Sequence, residues 1–242
     1  MPEESQSVAQ TLSSLTPLAA LPGSTSPPRR AALRIHFPDA VVSQPGAHLG
    51  KQESAAAPSF SVSALALDNL LFPNCDLSPT TSAASHSSSG SRRLSQDPGS
   101  SCLLPRYLVA GLDLDPPFPS FPVMGPILHS MQADLTLATD ELDPESADEF
   151  IPLQPAPEGV GAGAGRPVAA YMGPAPPGLS SPHRYMFMMW EQPAGVTGER
   201  IRDELGFGED GVGLMTRMRW DQEMFERKLG LGRVVAGNYF VC

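Results

Sequence analysis

A mainly β chain, an antiparallel β-sandwich with few short helices, is predicted by three features of the sequence. Apolar and polar residues alternate over 32–42 and again over 59–67, the period of half-buried strands. A continuous apolar run, "HRYMFMMWEQ", fits a strand covered on both faces. Only one segment, near the C-terminus, reads as a clear helix, so nothing supports a strand–helix–strand fold.

Taken in order, residues 1–30 are rich in Ser, Thr, Pro and Ala without periodicity, and are expected to be a disordered tail before a domain spanning 31–242. In "ALRIHFPDAVV", Leu33, Ile35 and Phe37 alternate with Arg34 and His36 until Pro38-Asp39 ends the strand. In "SFSVSALAL", Phe60, Val62 and Ala64 face one way and the serines the other. Residues 73–104 form a Ser-, Gly- and Pro-rich insertion that cannot bury enough apolar surface to offset its ordering entropy. Arg92-Arg93-Leu94-Ser95 within it has the form of a basic-directed phosphorylation site, or of a solvated stretch of no consequence. Strands follow at 106–117 and 125–137. Residues 139–165, acidic and then Gly-rich, are expected to be a flexible connection. A short helical turn is predicted in "GERIRDELGF". A helix is predicted over 220–232, with Asp221 as its N-terminal cap and Gly230 at the left-handed end position. "RVVAGNYFV" closes the chain as a strand.

Composition excludes several classes of function. With 16 basic and 26 acidic residues the chain carries −10, which argues against nucleic-acid binding and against a polybasic membrane anchor. No apolar run reaches 18 residues, and "MPEESQSVAQ" lacks the basic start and apolar core of a signal peptide, so a cytoplasmic protein without a transmembrane segment is expected. Cys75, Cys102 and Cys242 have no metal-ligand spacing, and a reduced state is expected over a Cys75–Cys102 bridge. "GVGAGAG" follows no strand and opens no helix, so it is no dinucleotide loop. Neither a cofactor nor a metal is expected.

Three polar groups fall where backbone should be buried. Asp113 and Asp115, two apart on a strand, point to one face and repel unless a cation, proton or donor lies between them; the pair can equally be a strand end entering solvent. His129 is flanked by Ile127, Leu128 and Met131, the setting of a structural histidine or of a ligand group. His183-Arg184-Tyr185 follows a loop stiffened by Pro174, Pro176 and Pro177.

The order D-x-D-x-P, a strand histidine, Y-x-G-x-x-P-P-x(5)-H-R-Y, and an apolar strand ending in E-Q resembles the phosphatidylethanolamine-binding protein family, as do "LRIHFPDAVVSQPG" and "FERKLGLGRVVAGNYF". The Ser/Pro-rich tails look most like filamentous-fungal members. The resemblance implies a large antiparallel sheet with a smaller one packed on it, and a surface cavity for phosphate-like and carboxylate anions. It places Asp113, Asp115, Pro117, His129, Gly173, Pro177, His183 and Tyr185 at that pocket, and a cis bond at Pro116–Pro117. Imidazole N–H and tyrosine O–H would donate to the anion, with an aspartate accepting the other ring proton of a histidine. His129 and His183 would be the proton-transfer groups of any acid–base chemistry, and Tyr185 an anion donor.

Met124 and Ala175 depart from an aromatic and a glycine common in the family, and the C-terminal helix of animal members has no counterpart after Cys242, which implies a more open mouth. The roles that the resemblance allows are acid–base assisted coupling of anhydride or dicarboxylate units in fungal secondary metabolism (maleidride type), non-catalytic binding of a phospholipid head group or a signalling partner, and protease inhibition. The resemblance also allows protein partners from a pathway.

Overall fold

The computed structural model describes residues 5–15, 32–71, 105–138, 150–157, 165–208 and 211–242. Its elements are α1 (Gln6–Leu15), β1 (Leu33–Phe37), β2 (Ala40–Val42), β3 (Ala47–His48), β4 (Ser59–Ser63), α2 (Ala64–Leu71), β5 (Arg106–Asp113), β6 (Ile127–Leu137), β7 (Phe150–Pro155), β8 (Arg184–Gln192), α3 (Gly198–Leu205), α4 (Leu214–Arg217), α5 (Gln222–Leu229) and β9 (Ala236–Val241).

The strands make one continuous sheet in the order β2-β1-β4-β7-β6-β5-β8-β9-β3. Every neighbouring pair is antiparallel except β3 with β9. The sheet curls until its first strands return over its last. Asn238 on β9 donates from Nδ2 to the carbonyls of Leu33 and Val42, at 2.8 and 3.0 Å. Phe37 meets Phe240 edge-on at 5.5 Å, and Phe60 tilts against Phe187 at the same separation. The two layers of the expected sandwich are thus halves of one hydrogen-bonded sheet.

One core fills the inside of the curl, with Ile35, Phe60, Val109, Phe187, Met189 and Phe240. A second lies on the outer face, where Leu108, Leu112, Met188 and Trp190 pack under Ile201 of α3 and Phe225 of α5. The apolar run of β8 supplies alternate residues to both, which explains why it shows no polar phase. Asp221 caps α5 by accepting from the Met224 N–H, and Gly230 ends it at φ 64°. No helix among the described residues is long and apolar enough to cross a membrane.

The structure differs from the sequence reading in four places. The expected disorder over 1–30 does not extend to residues 6–15, which form α1 and bury Val8, Thr11 and Leu15. Gly237 makes room for it, because a Cβ there would lie 2.6 Å from Thr11 Cγ2. The strand at 59–67 ends at Ser63, and Ala64–Leu71 becomes α2, as the helix preference of Ala and Leu favours. "GERIRDELGF" makes the full helix α3, capped by Thr197 and Gly206, so the described residues hold five helices rather than one clear one. Within the expected connection 139–165, Phe150–Pro155 forms β7 between β4 and β6. Cys75, Cys102 and Arg92–Ser95 lie outside the described residues.

Candidate functional site

β5 and β8 run side by side in a register that sets Asp113 opposite Tyr185. This pairing brings the end of the D-x-D segment to the start of the H-R-Y segment. The chain's last strand holds the same end in place. The His183 N–H donates to the Cys242 carbonyl at 2.7 Å, and the Cys242 N–H returns a bond to the His183 carbonyl at 3.0 Å.

Asp113 is the hub. Its Oδ2 accepts from His183 Nδ1 at 2.9 Å, its Oδ1 accepts the Asp115 backbone N–H at 3.0 Å, and His129 Nε2 lies 3.9 Å from Oδ2. Asp115 serves a different partner. Arg184 grips its carboxylate with Nε and Nη2, at 2.9 and 2.7 Å, and adds its backbone N–H at 2.8 Å. Two carboxylates near one another are thus accommodated by an imidazole on one and a guanidinium on the other.

The two histidines have different freedoms. His183 is buried with both ring nitrogens engaged. Nδ1 is on Asp113, and Nε2 is 2.9 Å from Ser180 Oγ and 3.2 Å from the Pro117 carbonyl. His129 places Nδ1 2.6 Å from the Met172 carbonyl. A carbonyl only accepts, so Nδ1 carries the proton and Nε2 of the neutral ring keeps its lone pair. Nε2 makes no hydrogen bond among the described residues. Burial pushes the His129 pKa below its ordinary 6.5, and the charges of Arg217 and His183 act the same way, against the Met172 carbonyl and Asp113. Arg217, itself buried, donates from Nη1 to the carbonyls of Leu128 and His129, both at 3.2 Å.

Tyr185 stands between the rings, edge-on to His129 at 5.1 Å and stacked on Phe240 at 5.2 Å. Its hydroxyl is buried without a hydrogen bond of good geometry. Burial first, and then the nearby Asp113 charge, drives its pKa well above that of an ordinary phenol.

The structure therefore gathers Asp113, His129, His183, Tyr185 and the Pro117 carbonyl, with Asp115 one step behind. The bond before Pro117 is cis. Gly173 adjoins Met172 and leans on the loop at 50–55, where a Cβ would come within 3.3 Å of Ala55 Cα. Pro177 stands exposed on the outer turn, and its carbonyl accepts the Ser180 N–H at 2.9 Å.

Sequence reasoning missed the Met172 carbonyl, Ser180, Arg217 and the 50–55 loop. In that loop Lys51 donates to the Pro176 carbonyl at 2.8 Å, and the Ser54 carbonyl accepts from the Tyr171 hydroxyl at 2.6 Å. Only Ser180, three residues before a histidine in a Pro/Gly turn, left a readable signal. A separate cavity of about 1010 Å³ lies between α1, α5 and β9 and holds none of these residues.

The curled β-sheet of this β-sandwich carries a buried Asp–His pair and a second imidazole with one open nitrogen. The family model for phosphatidylethanolamine-binding protein matches residues 93–240, and the chain belongs to that family. The carboxypeptidase Y inhibitor of Saccharomyces cerevisiae is 32% identical over 118 residues, 46% of this chain and 48% of the inhibitor, so the chain spans about half the length of that relative. Among solved structures, carboxypeptidase Y inhibitor complexed with its cognate proteinase superposes with a TM-score of 0.52 at 20% identity, over 86% of this chain and 81% of that one. The phosphatidylethanolamine-binding protein from Plasmodium vivax gives 0.48 at 15%, over 86% and 83%.

Proposed function

We propose that the chain binds one small anion, the phosphate of a phospholipid head group or a comparable carboxylate, at His129 Nε2, and takes up a proton as it does so. The observation that carries this reading is the open nitrogen. Nδ1 is committed to the Met172 carbonyl, so Nε2 can donate to an anion only once the ring is protonated. Burial opposes that charge, and a bound anion offsets the penalty. Tyr185, whose buried hydroxyl has no hydrogen bond of good geometry and lies near Asp113, is a second donor for that anion.

Titration with inorganic phosphate, followed by nuclear magnetic resonance of the imidazoles, tests this. The His129 resonances should move and its pKa should rise at saturation, and affinity should weaken by about tenfold per pH unit above that of free His129. His129 signals unmoved at millimolar phosphate would refute the site.

The depressed pKa also sets a stability profile. The unfolded chain takes up this proton near pH 6.5, whereas the folded site resists it to lower pH. The His129 contribution to stability is therefore full above about pH 6.5 and is lost as pH falls toward the folded value. Melting temperatures of the native chain and His129→Gln between pH 7.5 and 5 should converge on acidification, and phosphate should restore the gap. Parallel curves would mean that His129 titrates as it does in the unfolded chain.

A second reading uses the same nitrogen as a base. With His183 fully engaged, His129 is the imidazole able to take a proton from the activated methylene of an anhydride or dicarboxylate unit, as a coupling role in secondary metabolism requires. Incubation with a maleic anhydride monomer should then give coupled product faster than buffer or His129→Gln. Equal rates would leave only binding. Inhibition of a carboxypeptidase is the third reading. It rests on the yeast relative and is checked by assaying carboxypeptidase Y with excess chain.

A further inference from the structure

The groove between α5 and β9 holds a helix that fits it on one side only. α1 presents Val8, Thr11, Leu12 and Leu15, the i, i+3, i+4, i+7 spacing by which an amphipathic helix enters a groove. Val8 belongs to the outer core with Trp190, Phe225 and Leu229, and Leu12 packs against it. Thr11 and Leu15 lie over Gly237. Gln6, Gln10 and Ser14, an i, i+4, i+8 row, line instead the cavity of about 1010 Å³ that remains beside the helix. Protein interiors close to crystal-like density, so α1 covers only part of its groove.

α1 is also a weak helix. At ten residues it falls below the length, about 12, at which an isolated helix holds in water. Its hydroxyls turn back on its own carbonyls, Thr11 on Ser7 at 2.8 Å, Ser13 on Gln10 at 2.8 Å and Ser14 on Thr11 at 2.7 Å. Such contacts loosen a helix rather than fasten it. Its backbone is tied to the groove by the Gln6 N–H, which donates to Glu223 Oε1 at 3.2 Å, a carboxylate at the helix end where the dipole favours one. The other charges of the groove suit a different helix. Glu226 accepts from Gln222 Nε2 at 2.8 Å. The guanidiniums of Arg227 and Arg233, exposed on the cavity wall, make no hydrogen bond or ion pair among the described residues. α1, which lines the same cavity, offers them no charged side chain.

We propose that this groove docks an acidic amphipathic helix of a partner protein, and that α1 is the internal occupant such a helix displaces. The fit defines the partner segment. It has apolar residues at i, i+4 and i+7, where α1 has Val8, Leu12 and Leu15, and a small residue at i+3, over Gly237. It has carboxylates at i+2 and i+6, where α1 has Gln10 and Ser14, to meet Arg227 and Arg233. Glu223 receives the N-terminus of the incoming helix as it receives that of α1. This surface shares no residue with the His129 site, and either can fail without the other.

Fluorescence anisotropy of a labelled peptide spanning residues 5–15, with Gln10→Glu and Ser14→Glu, tests this against the same peptide unsubstituted. The acidic peptide should bind the full chain about fivefold more tightly, the gain expected of two exposed ion pairs. Arg227→Gln combined with Arg233→Gln should erase that difference. Val8→Ser loosens α1 in the full chain, so it should tighten peptide binding by about tenfold. In hydrogen exchange the amides of Val8 to Leu15 should exchange faster once the peptide is added, while phosphate shifts at His129 stay as they are. Absence of binding to both the native and the Val8→Ser chains overturns the proposal. Binding that leaves α1 exchange unchanged does the same, because the peptide then sits elsewhere. Equal affinity of the native chain for the two peptides also overturns it. Should Val8→Ser fail to fold, the arginine variant and the exchange of the native chain still decide.

Discussion

Alanine in place of Asp113 is expected to destabilise the fold by about 3 kcal/mol, the usual cost of removing one partner from a buried charged pair. Its carboxylate is the acceptor for His183 Nδ1 and for the Asp115 N–H, and both donors are buried where water cannot replace it. For a domain of this size that loss lowers the melting temperature by about 6–12 °C. The Asp113→Asn variant retains one carbonyl acceptor and costs less, about 1–2 kcal/mol, because a charge-assisted bond becomes a neutral one. The two variants also separate scaffold from chemistry. The Asp113 charge supports protonation of His129, so its removal lowers the His129 pKa further and weakens phosphate binding even where the fold survives. It also relieves the upward pressure on the Tyr185 phenol. A melting temperature for Asp113→Ala within about 2 °C of native would show that Asp113 is not the hub of this cluster.

Much of this arrangement could be read from the chain before folding, and the rest fails for identifiable reasons. β1 and the start of 59–67 announced themselves by alternation and β8 by its long apolar run, and α5 by its two caps. β7 was hidden because "FIPLQP" carries two prolines, which normally argue against an interior strand, yet the Pro152 carbonyl still takes the Ala138 N–H at 2.9 Å. α2 was misread because "SALAL" satisfies a period of two as well as a helix. α1 was hidden by its composition, although Val8, Leu12 and Leu15 already had helical spacing.

At the site, the residue types were visible and their roles were not. Which histidine keeps an open nitrogen depends on the Met172 carbonyl for His129 and on Ser180 and the Pro117 carbonyl for His183. These are contacts across 43, 3 and 66 positions, and only the 3-residue one could be suspected locally. Asp113 and Asp115 looked like one unit because they share a strand face. Long-range pairing assigned one to an imidazole and the other to Arg184.

Asp134 carries the other large expected effect, and it tests the frame that presents His129. It sits on β6 five residues after that histidine, at a bulge where Gln132 pairs with Val109 but Leu135 pairs with Tyr107. Its φ is 56°, a conformation that Asp and Asn tolerate better than other residues with a side chain. Its buried carboxylate accepts from Arg106 at 2.8 Å, from Gln192 at 2.7 Å and from the Gly198 N–H at 2.7 Å, which ties β5, β8 and the start of α3 to one point. Alanine there loses all three bonds, strips a buried face of its charge partner and keeps the strained backbone, for an expected loss of about 4 kcal/mol. Asp134→Gly loses the same bonds without the strain and should be about 1 kcal/mol milder. Asp134→Asn keeps an acceptor and the backbone preference and should cost about 2 kcal/mol. Urea unfolding gives all three values. If Gly and Ala prove equal, the bulge conformation carries no energetic weight. If Asn is as damaging as Ala, charge rather than hydrogen bonding holds the junction. In either case folded Asp134→Asn should still respond to phosphate at His129, because none of the bonds it weakens reaches the imidazole.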